Sequence, residues 1–246
     1  MTKSILPLRV EDLRYSVDGK ALVDGISLTI NPATFTVVLG PNGAGKSLLL
    51  RLLHGMLAPT SGTVACTNGV NGDLRRRQAM VFQRPVLLRR SVEANIAYAL
   101  GALGIPRGQR PAMIELALRR AGLRDARRVQ ARLLSVGEQQ RLTVARALAC
   151  EPDIMFLDEP TASLDPASVQ QIETLLVDAN ARGMAIVLVT HDVGQARRLG
   201  RDIVFVHAGK LAEQGRAEDG APSAAAVSGK ALIGVITARQ KRQAAW

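Results

Sequence analysis

Residues Thr36–Leu50 read TVVLGPNGAGKSLLL. The apolar ends belong in a core, yet three glycines, a proline and a lone lysine interrupt the middle. An interruption of that kind makes sense when the backbone must wrap a ligand. Gly40–Ser47, GPNGAGKS, fits the pattern G-x-x-x-x-G-K-[ST] between an expected strand and an expected helix. Glycines let the chain turn closely, and the loop with the following helix N-terminus makes a cradle for phosphates. Lys46 then reaches the β- and γ-phosphates, and the Ser47 hydroxyl can ligate Mg²⁺.

Outward from this loop, apolar runs at Leu8–Val17, at Ile26–Ile30 and in TFTVVL predict strands on its N-terminal side. The pattern turns helical over Lys46–Met56. GTVAC and AMVFQ predict further strands, and Ser91–Arg132 is mainly helical, broken at GIPRG. A helix is expected over Glu138–Ala149, a strand at DIMFLD, and a helix over Pro166–Arg182 with Val169, Ile172, Leu175, Leu176 and Ala179 on one face. AIVLVT, a short helix after His191, DIVFVH and KLAE complete the series. Short, purely apolar strands separated by helices predict a mostly parallel sheet covered on both faces, an α/β fold.

Several of these strands end in polar residues: MVF in Gln83, IMFL in Asp158 and Glu159, IVLVT in His191. Ligands of open parallel sheets bind outside the carboxyl ends of the strands, so one edge should gather all of them with the glycine loop. Asp158 is placed to hold Mg²⁺ through water, and Glu159 to orient and deprotonate the attacking water. Gln83 and His191, on the same edge, are expected to contact the γ-phosphate and that water.

The chain has 246 residues, 47% hydrophobic and 22% charged, ordinary for a globular domain. No apolar run reaches the ~20 residues of a membrane-spanning helix, and MTKSILPLRVEDL lacks a secretory leader's pattern, which predicts a cytoplasmic chain. Cys66 and Cys150 lack metal-ligand spacing and read as small buried thiols. The formal charge of +11 is concentrated: Arg75–Arg132 holds 14 Arg, no Lys and three acids (Glu93, Glu115, Asp125), a surplus equal to that of the whole chain. Only Phe82 and Tyr98 supply aromatics there, too few for stacked bases, so nucleic acid is not an expected partner.

Taken with the phosphate loop and IMFLDEP, four further segments complete a resemblance. LLSVGEQQRLTVARALACEPD (Leu133–Asp153) is similar to the signature motif of the ATP-binding cassette ATPases, TASLDP (Thr161–Pro166) to their D-loop, VTHD to their switch histidine and MVFQRP to their Q-loop. The similarity runs in order from about Leu8 to Glu213. It implies a P-loop NTPase fold with an N-terminal antiparallel β subdomain and an inserted helical subdomain at about 84–149, within a nucleotide-binding domain spanning 1–214. Residues 215–246, rich in Ala, Gly and Ser, would form a separate tail.

The resemblance also implies ATP and Mg²⁺ as ligands, with a head-to-tail homodimer sandwiching two nucleotides. The cradle would be Gly40, Pro41, Asn42, Gly43, Ala44, Gly45, Lys46, Ser47 and Leu48. Tyr15 would stack on adenine, Asp165 would lie in the D-loop, and Ser47, Gln83 and Asp158 would surround the metal. Ser135 and Gly137 of the partner subunit would complete each site. The sequence departs from the family pattern at Val136, where a glycine is usual, and at Leu48, where Ser or Thr is usual. Val136 either slows hydrolysis or packs against the partner. VFQRPVLLRRSVEANIAYAL looks most like tungstate, molybdate or phosphate importers, implying a transmembrane permease, an external solute-binding protein and a peripheral position on the cytoplasmic side of the membrane. An exporter subunit and a non-transport cassette ATPase are the alternatives. The arginines near Arg84–Asn95 either face the permease or anionic headgroups, or form a solvated helix face.

Overall fold

The computed structural model describes residues 4–66 and 76–216. The chain opens with a hairpin of β1 (Leu8–Val17) and β2 (Lys20–Ile30). Its turn residues Asp18 and Gly19 have φ of 49° and 76°, the left-handed pair a two-residue hairpin turn requires. That turn starts the second strand at Lys20, six residues before the Ile26 expected from the apolar pattern. β4 (Ser61–Cys66) pairs with the other edge of β1, giving an antiparallel sheet ordered β2-β1-β4.

The main sheet has the order β5-β6-β7-β3-β8-β9. It contains β3 (Phe35–Leu39), β5 (Gln78–Val81), β6 (Ile154–Asp158), β7 (Ala185–Val189), β8 (Asp202–His207) and β9 (Lys210–Arg216). Every pairing is parallel except the closing β8/β9 hairpin. β9 takes in Gly215 and Arg216; the rest of the expected tail, 217–246, lies outside the described residues. β3, β6 and β7 are buried along their whole length, as both-face coverage demands.

Alternation along each strand divides the core into two layers. On β6, Met155 and Leu157 join one cluster while Ile154 and Phe156 join the other. The first cluster packs on α2 (Val92–Ala102), α3 (Arg110–Arg120), α4 (Val136–Ala149), α5 (Pro166–Ala181) and α6 (Val193–Leu199). The second packs on α1 (Lys46–Leu53) and the β1/β2 hairpin. Each fully buried Leu, Ile, Val or Phe contributes roughly 1.5–3 kcal/mol of transfer free energy, so the sheet that positions the strand ends is held from both sides.

The expected helical stretch Ser91–Arg132 separates into α2 and α3, with Gly122 (φ 63°) just past the end of α3. Some of the clustered arginines are structural. Arg127 Nε donates to Glu93 Oε2 at 2.5 Å and its Nη1 to Glu115 Oε2 at 3.1 Å, tying the segment after α3 to both helices. Asn95, fully buried, accepts from the Leu88 N–H and donates to the carbonyls of Leu88, Arg90 and Ser91, which fixes the turn before α2. The cysteines, expected to be buried, are both half-buried; burial pushes the Cys150 thiol up to about 11, keeping it protonated and unreactive. Among the described residues, no helix is long and apolar enough to cross a membrane.

Candidate functional site

Because β5, β6, β7 and β3 are adjacent and parallel, their carboxyl ends form one edge. The segments leaving that edge carry Gln83, then Asp158 and Glu159, then His191, then Gly40–Ser47. The expectation that these polar strand ends converge is met by the strand order.

The glycine loop has no room for side chains at two points. A Cβ on Gly40 would lie 2.1 Å from the Val206 carbonyl oxygen, and one on Gly45, whose φ is 95°, 2.7 Å from that of Leu22. Within the loop the Ala44 N–H donates to the Pro41 carbonyl at 3.2 Å, and Gly209 donates to the Ala44 carbonyl at 3.0 Å. The β8/β9 turn therefore braces the loop. Asn42 and Gly43 are exposed at the tip, and Leu48 packs on the second core cluster.

Lys46 is only 5% exposed. A buried ammonium must have acceptors, and its Nζ donates to the carbonyls of Gly40 at 2.8 Å and Pro41 at 3.0 Å. Ser47 Oγ donates to Asp158 Oδ1 at 2.8 Å, bringing two of the expected metal-binding groups into contact across 111 residues of chain. Burial pushes the Asp158 carboxyl above its ordinary range, with the Ser47 hydroxyl pulling the other way. Its neighbour behaves oppositely. Glu159 Oε2 lies 3.1 Å from His191 Nδ1, and that hydrogen bond holds its carboxyl below the usual range against the effect of burial. Glu159 also sits at φ 45°, a left-handed conformation that costs a non-glycine residue about 1–3 kcal/mol and clusters at functional sites.

Of the remaining expected residues, Ser135 and Asp165 are held by caps at the N-termini of α4 and α5. Tyr15 is half-buried on β1, one strand from Leu22 at the loop. Gln83 is exposed past the end of β5. Ser135 is the N-cap of α4: its hydroxyl and its N–H both donate to Glu138 Oε2, at 2.7 and 2.9 Å, and the Glu138 N–H returns a bond to Ser135 Oγ. This reciprocal box starts α4 at Val136, two residues before the expected Glu138, and the Ser135 hydrogen bonds hold the Glu138 carboxyl ionised. Val136 is 62% exposed. Gly137 is buried against α5, where Asp165 caps the helix through the Ser168 N–H and hydroxyl, at 2.9 and 2.6 Å.

Two supporting groups escaped the sequence reading. Glu138 was legible, since S-x-x-E before a helix is the capping-box pattern. Gln195 was not. Only 2% exposed, it donates from Nε2 to Thr161 Oγ1 at 3.1 Å and to Glu173 Oε1 at 3.0 Å, linking the segment after Glu159 to the helix after His191.

These groups suit a magnesium-bound nucleoside triphosphate. The loop's close wrap excludes side chains, a helix N-terminus and a buried ammonium favour anions, and Ser47 with Asp158 offers the hard oxygen donors that Mg²⁺ takes. Asp158, raised by burial, gains most from a cation.

A family described as "ABC transporter" matches residues 23–162. The tungstate uptake system ATP-binding protein TupC of Peptoclostridium acidaminophilum is 38% identical over 209 residues, which cover 85% of this chain and 98% of that protein. The phosphate import ATP-binding protein PstB of Salinibacter ruber is 36% identical, with 84% and 88% covered. Among solved structures, a dimeric ATP-binding cassette in a post-hydrolysis state with ADP and phosphate matches with a TM-score of 0.75 at 28% identity, covering 86% of this chain and 99% of that one. With these matches, the chain belongs to the ABC transporter family as an ATP-hydrolysing subunit.

Proposed function

We propose that this subunit works as a homodimer beneath a transmembrane permease, and that the transporter imports a small oxyanion of the tungstate, molybdate or phosphate class. Within the domain at 1–214, the helical region at about 84–149 is the arm that meets the permease, and an external solute-binding protein delivers the anion. The substrate class is supported by the tungstate and phosphate import relatives, which match this chain along most of their length.

The residues divide the chemistry as follows. Gly40, Pro41, Asn42, Gly43, Ala44, Gly45, Lys46, Ser47 and Leu48 enclose the phosphates, and Lys46 exchanges its carbonyl partners for phosphate oxygens. Tyr15 stacks on adenine. Ser47, Gln83 and Asp158 would hold Mg²⁺, whose charge would offset that developing on the phosphate oxygens. Glu159, kept ionised by His191, accepts the proton of the attacking water while His191 and Gln83 hold that water in line. Ser135 and Gly137 of the partner subunit close over the γ-phosphate, with Asp165 at the seam. Closure on ATP and reopening after hydrolysis alternate the permease.

The observation that carries this reading is the Glu159–His191 pair beside the Ser47–Asp158 pair on one sheet edge. Glu159→Gln is expected to abolish turnover and accumulate an ATP-bound dimer, read by phosphate release and light scattering; near-normal hydrolysis removes Glu159 as the base. For the solute, tungstate uptake should fall in cells lacking this subunit and return with it. Loss of methionine uptake with oxyanion uptake intact reassigns the substrate.

A further inference from the structure

Gln140 lies five residues beyond Ser135 on α4 and is 1% exposed. Its Nε2 donates to the carbonyl oxygen of Phe82 at 3.1 Å. Its Oε1 is buried and has no hydrogen-bond partner among the described residues. A buried orphan acceptor is costly, and a native protein that keeps one calls for a reason. A methionine of similar length would fill the space without that cost. What glutamine alone supplies is the N–H that holds Phe82.

Phe82 precedes Gln83, and α4 packs on β5, the strand that ends at Val81. One buried side chain therefore joins the segment carrying Gln83 to the helix whose N-terminus is Ser135, Val136 and Gly137. In the dimer proposed above these ends serve different nucleotides: Gln83 faces its own subunit's phosphates, while Ser135 and Gly137 complete the site of the partner subunit. From this we infer that Gln140 is a positioning residue that couples the two nucleotide sites, passing the state of the Gln83 segment to the N-terminus of α4. The inference rests on the dimer reading. Gln140 touches neither nucleotide; its contribution is a fixed distance between a strand end and a helix.

The test uses the full chain in the Glu159→Gln background, with dimer formation followed by light scattering as ATP is raised in the presence of Mg²⁺. Gln140→Met should need about five- to tenfold more ATP for half-maximal dimer, with a shallower dependence on ATP. Affinity for ADP and the melting temperature should stay at the parent's values. In a Gln83→Ala background, Gln140→Met should cause no further shift, a non-additivity that a merely structural residue would not give. Absence of an ATP-dependent dimer in the Glu159→Gln parent overturns the dimer reading and the coupling together. A normal dimer with the parent's ATP dependence in Gln140→Met, or strict additivity with Gln83→Ala, overturns the coupling alone.

Discussion

Asp158 and Glu159 are one peptide apart, yet their surroundings drive them in opposite directions. Burial raises the Asp158 carboxyl, so its ionised form costs stability once the pH exceeds the value at which the unfolded chain ionises. The hydrogen bond from His191 lowers the Glu159 carboxyl, so its contribution is present above the ordinary carboxylate range and fades as pH falls through the lowered value. Asp158→Asn keeps the shape and an acceptor for the Ser47 hydroxyl while removing the buried charge. Without nucleotide or Mg²⁺ at neutral pH, this variant should be more stable, with a higher melting temperature. The gain should shrink as acid protonates the wild-type carboxyl, and the extra stabilisation that MgATP gives the wild type should be lost. A thermal-shift series against pH, with and without MgATP, reads all three outcomes. The positions of both acids were legible in IMFLDEP only together with the phosphate loop upstream, because a carboxylate pair after an apolar run is by itself as readily a solvated strand end. Their opposed titration was not, since it depends on Ser47 and His191 arriving from 111 and 32 residues away.

The elements carry information the motifs did not. Gly137 was expected from the family resemblance to bring α4's N-terminus close to a phosphate, but α5 constrains it as well. A Cβ there would meet Ser168 Oγ at 2.2 Å and Ser168 Cβ at 2.8 Å. Ser168 cannot simply rotate aside, because its N–H and hydroxyl both bond the Asp165 cap. Gly137→Ala should therefore push α4 from α5 and lower stability by roughly 1–3 kcal/mol, the usual result of overpacking. Adding Ser168→Gly should recover part of that loss without restoring hydrolysis to normal, since the cap on α5 is then weakened. Chemical denaturation of the single and double variants separates the packing effect from any effect on turnover. Helix periodicity had marked the buried face of α5 at Ile172, Leu175, Leu176 and Ala179, but Val169, expected on the same face, is only half-buried, and Ser168 beside it is buried instead. What a single sequence cannot give is the crossing point of two helices, which puts a packing demand on Gly137 beside the role proposed for it at the site. The early start of β2 is a different case: the Asp18–Gly19 turn was a readable hairpin signal that apolar counting passed over.

At the scale of the whole molecule, a parallel sheet covered on both faces was readable from continuous apolar strands, but its strand order was not. β3 lies between β7 and β8, partners about 150 residues away, and periodicity is silent on pairings at that distance. The same long-range assembly decides which arginines are spent on structure. Arg127 and Arg77 are committed to ion pairs with Glu93, Glu115 and Asp153, and Arg110 Nε donates to the Ile105 carbonyl. Arg84, Arg89 and Arg90 remain exposed between β5 and α2, where Asn95 fixes the turn and Arg90 lies 5.6 Å over the Tyr98 ring. A rigid basic turn beside the exposed Val86 and Tyr98 is suited to an acidic, partly apolar partner surface. Near an anionic surface each basic residue contributes about 1 kcal/mol. Reversing Arg89 and Arg90 to Glu should therefore weaken recovery on permease-containing membranes by tenfold or more, most strongly at low salt. The ATPase rate of the isolated chain should stay unchanged, since neither residue is among those proposed to hold the nucleotide. Unaltered recovery at low salt would assign the charge of this turn to solvation alone and leave the apolar pair, Val86 and Tyr98, as the contact.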